Sequence, residues 1–255
     1  MNSAAYLKQL FGLDGRVALV TGGSSGIGRA IALALGQAGA HVVIASHTAS
    51  AVDAAAEDIR QSGGSAAGVA ADLSTRDGAH ALADVVGAVD IPVNSAGINL
   101  RPPMPELDEA VWDATMRVNL DAPFILGQRL APGMAERGFG RIIHISSQQA
   151  HRPFAASGAY GVSKAALEAL ARSQSEAWAP LGVTANVLVP GFVRTPLNER
   201  LSSNPDAVRS LSARTLIGRN GTAEDFAGAA LFLAGAGSAY VVGQSLAVDG
   251  GFSVH

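Results

Sequence analysis

The stretch Val17-Ala-Leu-Val-Thr-Gly-Gly-Ser-Ser-Gly-Ile-Gly28 passes from an apolar, β-branched run into a glycine-rich turn, and an Ala-rich run follows it directly. This pattern predicts a strand over residues 16–21 and a helix over 26–38. Glycines permit a tight turn and a close approach of backbone to a pyrophosphate, and a helix N-terminus supplies free N–H groups for phosphates. The stretch therefore predicts nucleotide binding by the turn, through Gly22, Ser24, Ser25, Gly26, Ile27 and Gly28.

The same alternation of short apolar runs and helical patterns continues along the chain and is typical of βαβ units. Strands are predicted at 16–21, 41–46, 66–71, 90–94, 140–146, 184–189 and 245–248, and helices at 26–38, 49–62, 75–87, 108–137, 158–179 and 223–235. We predict the α/β class, with residues 1–255 forming a single-domain Rossmann fold. Its doubly wound, seven-stranded parallel sheet would carry helices on both faces and bind ligands beyond the carboxyl ends of its strands.

Composition limits the function further. The 255 residues are 48% hydrophobic and 15% charged, and the net charge of −3 gives no reason to expect nucleic acid as a partner. Cysteine is absent, which excludes disulfides and thiolate metal sites and fits a reducing cytoplasm, so we expect no metal. Residues 1–14 lack the apolar core of a signal peptide, and no stretch reads as a membrane span. We expect a cytoplasmic protein with a small-molecule partner.

Tyr160 and Lys164 carry the strongest chemical signal. Residues four apart share one face of a helix, so the phenol and the ammonium can point at one spot. A free tyrosine titrates near about 10, and a neighbouring cation favours the phenolate, so a tuned Tyr160 can exchange a proton with an alcohol or ketone oxygen. Because Y-x-x-x-K is common by chance, its weight comes from the other motifs and their order.

The end of the second predicted strand bears on the choice between the two nicotinamide cofactors. An acidic residue there would hold the ribose diol of NAD, and a basic residue would favour the 2′-phosphate of NADP. The chain has Ser46 and His47 in Ala45–Thr48, without an acid or an arginine. A serine leaves room and a histidine can be partly cationic, so we expect NADP in preference to NAD.

Taken in order, these motifs resemble those of the short-chain dehydrogenase/reductase family of the long-studied single-domain type. The residues that carry the resemblance are Thr21-Gly-Gly-Ser-Ser-Gly-Ile-Gly28, Asp72-Leu73, Asn94-Ser-Ala-Gly97, Asn119, Ser147, Tyr160 with Lys164, Pro190-Gly191 with Thr195, and Val248-Asp-Gly-Gly-Phe252. They run in the family's order over nearly the whole chain.

The resemblance implies hydride transfer between nicotinamide and a carbonyl carbon, with Tyr160 as general acid or base. Lys164 would lower the pKa of Tyr160 and bond the nicotinamide ribose. Ser147 would hydrogen-bond the substrate oxygen, and Asn119 would hold a water linking Lys164 to solvent. The residues implied to contact the rest of the cofactor are Asp72, Leu73, Asn94, Ala96, Gly97, Pro190, Gly191, Val193 and Thr195.

Two positions depart from the family pattern. Ser95 stands where the family has a second asparagine, and Pro92 interrupts a predicted central strand. Proline lacks the N–H of a ladder hydrogen bond, so we expect local distortion or lost stability at residues 90–95.

Substrate choice depends on the loops rather than on the sheet. The segments 98–104, 148–155 and 195–214 could form the pocket wall. Arg101 could clamp a carboxylate or hydroxyls, or lie on the surface. Gln149, His151 and Arg152 follow Ser147 and could bond a polyhydroxylated substrate.

Within the family, the chain looks most like gluconate 5-dehydrogenases and related sugar-acid and polyol dehydrogenases. Other interpretations are a 3-oxoacyl-acyl-carrier-protein reductase, a broad-specificity carbonyl reductase, and a catalytically silent nucleotide sensor. Trp178-Ala-Pro-Leu-Gly182 lacks the basic residue expected for carrier docking. The resemblance also implies a homotetramer, built through residues 108–137, 158–179 and the C-terminal strand region.

Overall fold

A seven-stranded parallel sheet forms the centre of the computed structural model, which describes residues 2–255. The strand order is β3-β2-β1-β4-β5-β6-β7. The strands are β1 (Val17–Thr21), β2 (His41–Ser46), β3 (Ser65–Ala70), β4 (Ile91–Asn94), β5 (Gly140–Ile145), β6 (Val183–Pro190) and β7 (Ser245–Val248). All seven predicted strands are present, and the predicted doubly wound Rossmann fold is confirmed. Met1, the first residue of the predicted domain, lies outside the described residues.

The helices connect these strands in the expected alternation. They are α1 (Ser3–Phe11), α2 (Gly26–Gln37), α3 (Ala49–Gln61), α4 (Arg76–Val86), α5 (Glu109–Met116), α6 (Ala122–Glu136), α7 (Gly158–Trp178), α8 (Glu199–Ser202), α9 (Pro205–Ala213) and α10 (Ala227–Ala234). The single helix predicted over 108–137 is divided, because a π-helical turn at Arg117–Asp121 separates α5 from α6. None of the helices within residues 2–255 is long and apolar enough to cross a bilayer.

Both faces of β1, β2, β4, β5 and β6 are buried, which explains why these strands are apolar without alternation, whereas the edge strand β7 is largely exposed. On one face, α2 and α10 contribute Ile31, Leu35 and Leu233 to a cluster with the sheet. On the other face, α6 contributes Leu126 and Met134. The strands are therefore held in register by packing on both sides, which fixes the edge formed by their carboxyl ends.

Pro92 lies inside β4, and the sheet accommodates it by shortening one ladder. Residues 91–94 pair with β1 at four positions, whereas β4 pairs with β5 only at Val93 and Asn94. The Asp90 carbonyl accepts from Arg141 N–H at 2.9 Å and so faces β5. Since successive peptide nitrogens of an extended strand alternate in direction, the Pro92 nitrogen also faces β5. The predicted distortion at 90–95 takes the form of this missing β4–β5 bond.

Candidate active site

The strand order reverses between β1 and β4, and the crevice at this point is built from the chain segments that follow the two strands. Thr21, the last residue of β1, joins these segments through its hydroxyl oxygen. This Oγ1 accepts from the backbone N–H groups of Ser95 and Ala96, both at 3.2 Å. The glycine turn and the Asn94–Gly97 turn are thereby held side by side.

The glycine turn has the geometry that a dinucleotide's pyrophosphate requires. Gly22 and Gly26 have φ of 65° and 51°, in the left-handed region that glycine adopts readily. A Cβ on Gly28 would lie 2.4 Å from the Gly22 carbonyl oxygen, so the start of α2 packs directly on the turn. Within residues 2–255, the Ser25 side chain makes no capping bond to α2, and the first N–H groups of that helix remain available for an anion. The glycine turn and the first turn of α2 therefore fit the pyrophosphate of a dinucleotide cofactor.

The end of β2 lies next to this turn. The Ser24 hydroxyl donates to Ser46 Oγ at 3.0 Å, which ties the glycine turn to the β2 end. His47 is exposed and lies close enough to Asp72 for its charge to lower the pKa of that carboxyl, after the larger effect of hydrogen bonds from Ser74. The structure therefore brings Ser46, His47 and Asp72 together, while Leu73 beside them is buried.

Tyr160 and Lys164 lie in the first turns of α7, and both side chains are buried. Lys164 Nζ donates to the Ile145 carbonyl at 2.8 Å and lies 5.6 Å from the centre of the Tyr160 ring. Burial lowers the pKa of Lys164 to about 8. The Lys164 amine close to the phenol is therefore less basic than that of a free lysine.

The predicted lowering of the Tyr160 pKa by Lys164 stays a prediction, because burial is the dominant influence on this phenol in the structure. Burial raises the pKa of the phenol, and hydrogen bonding with Ser147 and the charge of Arg101 oppose that rise. The physical reason is that a buried site disfavours the phenolate, while Lys164 directs its ammonium at the Ile145 carbonyl. Tyr160 is therefore poised as a proton donor.

Ser147 follows β5 and begins a short 3₁₀ turn over Gln148–Ala150. Its Oγ accepts from the Gln149 backbone N–H at 3.2 Å, which fixes the direction of the side chain. The hydroxyl also lies near enough to Tyr160 to lower the pKa of the phenol. The two hydroxyl groups that the sequence assigns to the reacting oxygen therefore lie together.

Asn119 lies in the π-helical turn between α5 and α6, and its side chain is fully buried. Its Oδ1 accepts from Ile98 N–H at 2.9 Å, and its Nδ2 donates to the Ile98 carbonyl and to Ser163 Oγ, both at 3.0 Å. Both ends of the amide are thus engaged in holding residue 98 against α7. The Asn119 backbone carbonyl lies in a turn whose hydrogen bonds depart from the α pattern, and the water linking Lys164 to solvent stays a prediction.

The segment after Pro190 returns to the glycine turn. A Cβ on Gly26 would lie 2.9 Å from Thr195 Cγ2, so the two segments are in contact. Val193 is buried and pairs with Gly221 in an isolated bridge. A Cβ on Gly97 would lie 3.5 Å from Lys164 Nζ. The segments that follow β1, β4 and β6 therefore meet Lys164 at one crevice.

The four candidate substrate residues have different surroundings. Arg101 is half-buried, donates to the Ala155 carbonyl, and lies near enough to Tyr160 for each charge to affect the other's pKa. The Gln149 side chain accepts from Ser157, and Arg152 donates to the Ser253 carbonyl. His151 contacts Glu168 at 3.0 Å. Arg101 is thus near the proposed reacting group, and Gln149 reaches Ser147 through its backbone N–H, while the side chains of Gln149, His151 and Arg152 contact other groups of the chain.

Sequence reasoning missed the backbone groups that hold the site. The Ile145 carbonyl receives the Lys164 ammonium, and both peptide groups of Ile98 bond Asn119. Any side chain can stand at a position that acts through its backbone, so no residue type could have signalled these roles. Glu168 was also missed, although its spacing of four from Lys164 places it on the same helix face.

Comparison with known proteins agrees with this geometry. The model of the family described as enoyl-(acyl carrier protein) reductase matches residues 22–253. The chain belongs to the short-chain dehydrogenase/reductase family. Gluconate 5-dehydrogenase of Gluconobacter oxydans (strain 621H) is 36% identical over 249 residues, which cover 96% of this chain and 97% of the relative.

Two further members of the short-chain dehydrogenase/reductase family span nearly the full chain. Galactitol 2-dehydrogenase (L-tagatose-forming) of Cereibacter sphaeroides is 37% identical over 253 residues, covering 97% of this chain and 98% of the relative. The crystal structure of a gluconate 5-dehydrogenase from Burkholderia cenocepacia J2315, in complex with NADP and tartrate, has a TM-score of 0.92 at 38% identity. That likeness covers 98% of this chain and 99% of the other. The protein is an NAD(P)-dependent oxidoreductase of this family, acting on CH–OH groups.

Proposed function

We propose that the protein interconverts a secondary alcohol and a ketone of a sugar acid, sugar or polyol, with NADP preferred over NAD. Tyr160 exchanges the proton, Ser147 bonds the substrate oxygen, and Lys164 holds the cofactor. The observation that carries this proposal is the burial of Tyr160, with Ser147 and Arg101 near enough to affect its pKa, at the edge of the sheet where the cofactor residues converge. Asn119 positions Ile98 against the same helix.

Tyr160 and Ser147 account for the proton transfer at the substrate oxygen. When bound, the nicotinamide supplies or accepts the hydride. A buried, protonated Tyr160 donates its proton to a ketone oxygen as that oxygen gains negative charge. The Ser147 hydroxyl stabilises the same developing charge, because it lies beside the phenol. In the oxidation direction the proton returns from the alcohol to Tyr160.

Arg101 supports a polar or anionic substrate. A half-buried guanidinium that makes one bond to the Ala155 carbonyl keeps further N–H donors for a ligand. A carboxylate or neighbouring hydroxyls can occupy these donors in a bidentate arrangement. The relatives that act on gluconate and galactitol agree with this substrate class.

The preference for NADP is supported by the end of β2. Ser46 is small and already hydrogen-bonded to Ser24, and His47 is exposed beside it. The Ala45–Thr48 segment carries no carboxylate to repel a 2′-phosphate or to hold a ribose diol. The Burkholderia structure contains NADP.

Docking of an acidic carrier protein is the main alternative, and the nearby arginines do not favour it. Arg137 donates to Asp90 Oδ1 and to the Val89 carbonyl. Arg141 is 6% exposed and bonds the Gly140 carbonyl at 2.8 Å. Both guanidinium groups are thus engaged within the chain rather than available for docking.

A spectrophotometric screen at the nicotinamide absorbance tests the proposed function. Gluconate, hexitols, β-keto thioesters and simple ketones would each be assayed with NADP and with NAD. We expect turnover with sugar acids or polyols and higher kcat/KM with NADP. Turnover confined to thioesters would replace the proposed substrate class, and cofactor binding without turnover on any compound would favour a nucleotide sensor.

We also propose that the protein acts in the cytoplasm as a homotetramer. The cysteine-free composition is compatible with a reducing compartment. Fractionation of cells that express the protein tests the location, and recovery outside the cytoplasmic fraction would contradict it.

A further inference from the structure

Glu168 is a buried carboxylate that the proposed chemistry does not use. It lies on α7, one helical turn after Lys164 and two turns after Tyr160, and is 5% exposed. Its Oε1 accepts from Ser146 Oγ at 2.9 Å and lies 3.0 Å from His151 Nε2. Its Oε2 accepts from Ser245 Oγ at 2.9 Å. Three partners from two segments, the turn after β5 and the start of β7, therefore meet at one carboxyl group.

Two of these partners flank the turn that carries Ser147. Ser146 comes immediately before Ser147, and His151 comes immediately after the 3₁₀ turn over Gln148–Ala150. Both contact the same oxygen of Glu168, so the two ends of the turn are held at one point. Glu168 therefore helps to hold both ends of the turn against α7. At the Ser146 end it acts alongside two contacts of Lys164, whose carbonyl lies 3.0 Å from Ser146 Oγ and whose ammonium donates to the Ile145 carbonyl.

The position of Glu168 along α7 gives these contacts a consequence for the reaction. A helix is stiff over two turns, so Tyr160, Lys164 and Glu168 move as one body. We propose that Glu168 is a positioning residue, which fixes the Ser147 hydroxyl relative to the Tyr160 phenol by anchoring both flanks of the Ser147 turn. This inference rests on the proposed function, because it assigns Ser147 and Tyr160 to the same reacting oxygen.

Stability alone does not account for a carboxylate at this place. Removing a carboxylate from water is costly, and apolar residues of similar size often replace buried ionic groups without loss of stability. A carboxylate differs from such residues because it accepts several hydrogen bonds from different directions. The Ser146 and Ser245 hydroxyls use that capacity, and the His151 ring contacts one of the same oxygens.

A set of variants on α7 tests the inference, with whichever alcohol or ketone the screen identifies as substrate. Glu168→Ala removes all three contacts, and we expect kcat to fall about tenfold or more, since misplacement of a reacting group is costly. The cofactor Kd should stay within about twofold, because the glycine turn and Lys164 are unchanged. Glu168→Gln keeps an acceptor oxygen for Ser146 and His151, so it should retain most of the activity and serves if the alanine variant does not fold.

Ser175→Ala is the matched control. Ser175 is also buried on α7, and its hydroxyl bonds Ala185 of β6 by donating to the carbonyl at 2.8 Å and accepting from the N–H at 3.2 Å. Its loss should cost stability through a similar buried hydrogen-bonding group, while kcat stays within about threefold of the parent. A fall in kcat as large as that of Glu168→Ala would show a general effect of loosening α7 and would overturn the inference.

A double-mutant cycle then separates positioning from simple destabilisation. If Glu168 acts through Ser147, then Glu168→Ala should cost less than about threefold when Ser147 is already alanine, because residues acting as a unit are not additive. Losses that multiply in the double variant would contradict a role through Ser147. This result is independent of substrate class, since the cycle can be run on a thioester if the screen finds one.

Chemical rescue provides a second readout. His151 and Ser245 line a cavity of about 310 Å³, which also borders Arg152 and Phe252. His151→Ala would extend this cavity beside the Glu168 carboxylate and remove one anchor of the turn. Added imidazole should enter and recover kcat in His151→Ala, without effect on the parent or on Ser175→Ala. Lowered activity in His151→Ala without any recovery up to high imidazole concentration would argue against anchoring by the ring.

Discussion

Burial is the dominant influence on the Tyr160 phenol, and it decides how the rate should depend on pH. Because the pKa of Tyr160 is raised, the protonated form that reduces a ketone is present at neutral pH. Reduction should lose kcat/KM as pH rises through the Tyr160 pKa, and alcohol oxidation should gain rate over the same range. Initial rates in both directions from pH 6 to the alkaline limit of stability measure this. Profiles that change in the same sense would contradict a shared acid–base group.

Removing only the Tyr160 oxygen isolates its chemistry from its packing. Tyr160→Phe should lower kcat by about a thousandfold or more, within the range of a lost acid–base group and its hydrogen bonds. Cofactor affinity, measured by fluorescence titration, should change little, because the ring and Lys164 remain. Tyr240→Phe is the control, since Tyr240 is fully exposed and should retain parent activity. Retained turnover in Tyr160→Phe would refute the assigned role.

Ser46 offers a test of cofactor choice at a single side chain. Ser46→Asp places a carboxylate at the end of β2, where it can bond a ribose diol and repel a 2′-phosphate. We expect the ratio of kcat/KM for NADP to that for NAD to fall at least about tenfold, which corresponds to about 1.4 kcal/mol. Ser46→Asn is the neutral control of similar size. An unchanged ratio in the aspartate variant would show that this strand end does not select the cofactor.

At the scale of elements, a buried polar chain crosses from β4 to α7. Asn94 Nδ2 donates to His144 Nδ1 at 3.2 Å, and His144 Nε2 lies 2.8 Å from Gln174 Oε1. With the two amides in these orientations, His144 is a neutral ring with its proton on Nε2. Burial lowers the pKa of His144 to about 4, with a smaller contribution from the charge of Lys164. The ring therefore links two strands and a helix only while it is uncharged.

The hydrogen-bonded set of Asn94, His144 and Gln174 predicts how the free energy of unfolding depends on pH. The folded pKa of His144, about 4, lies below its ordinary value of 6.5, so the unfolded state binds the proton first as pH falls. The contribution is fully present above pH 6.5 and is lost towards pH 4, by up to about 3 kcal/mol. In denaturant unfolding, the free energy of unfolding of His144→Gln should fall less over this pH range than that of the parent. His80→Gln, at an exposed histidine, should follow the parent curve; identical slopes for His144→Gln and the parent would contradict the prediction.

The sequence predicts the elements well where burial on both faces imposes a long apolar pattern. All seven strands and the starts of α2, α3 and α7 lie within one residue of their predicted positions. The break between α5 and α6 was missed because Arg117–Asp121 reads as helix, and a π-turn differs from an α-turn only in its hydrogen bonds. The helices α8 and α9 were not predicted, because residues 195–214 were interpreted only as a wall of the substrate pocket.

At the scale of the whole molecule, the site was predictable in position but not in electrostatics. The order of motifs places Tyr160, Lys164, Ser147 and Asn119 at the carboxyl edge of the sheet, and the structure brings them together. The pKa of Tyr160 depends on burial by segments distant in sequence, and the direction of the Lys164 ammonium depends on the Ile145 carbonyl. Such effects arise only from the assembled fold, so spacing along α7 could not reveal them.

Apolar groups on two separate surfaces predict the assembly. Phe124 of α6 and Leu246 of the edge strand β7 are 41% and 38% exposed. Further copies of the protein can bury both the apolar face of α6 and the exposed edge strand β7. We therefore expect a tetramer, with a mass roughly four times the 25.8 kDa of the chain. Phe124→Glu and Leu246→Glu should each reduce the mass to that of a dimer in light scattering, because each disrupts one of the two contacts. Val85→Glu, at a more exposed position on α4, should leave the mass unchanged. A parent protein that is monomeric at tens of micromolar would overturn the prediction.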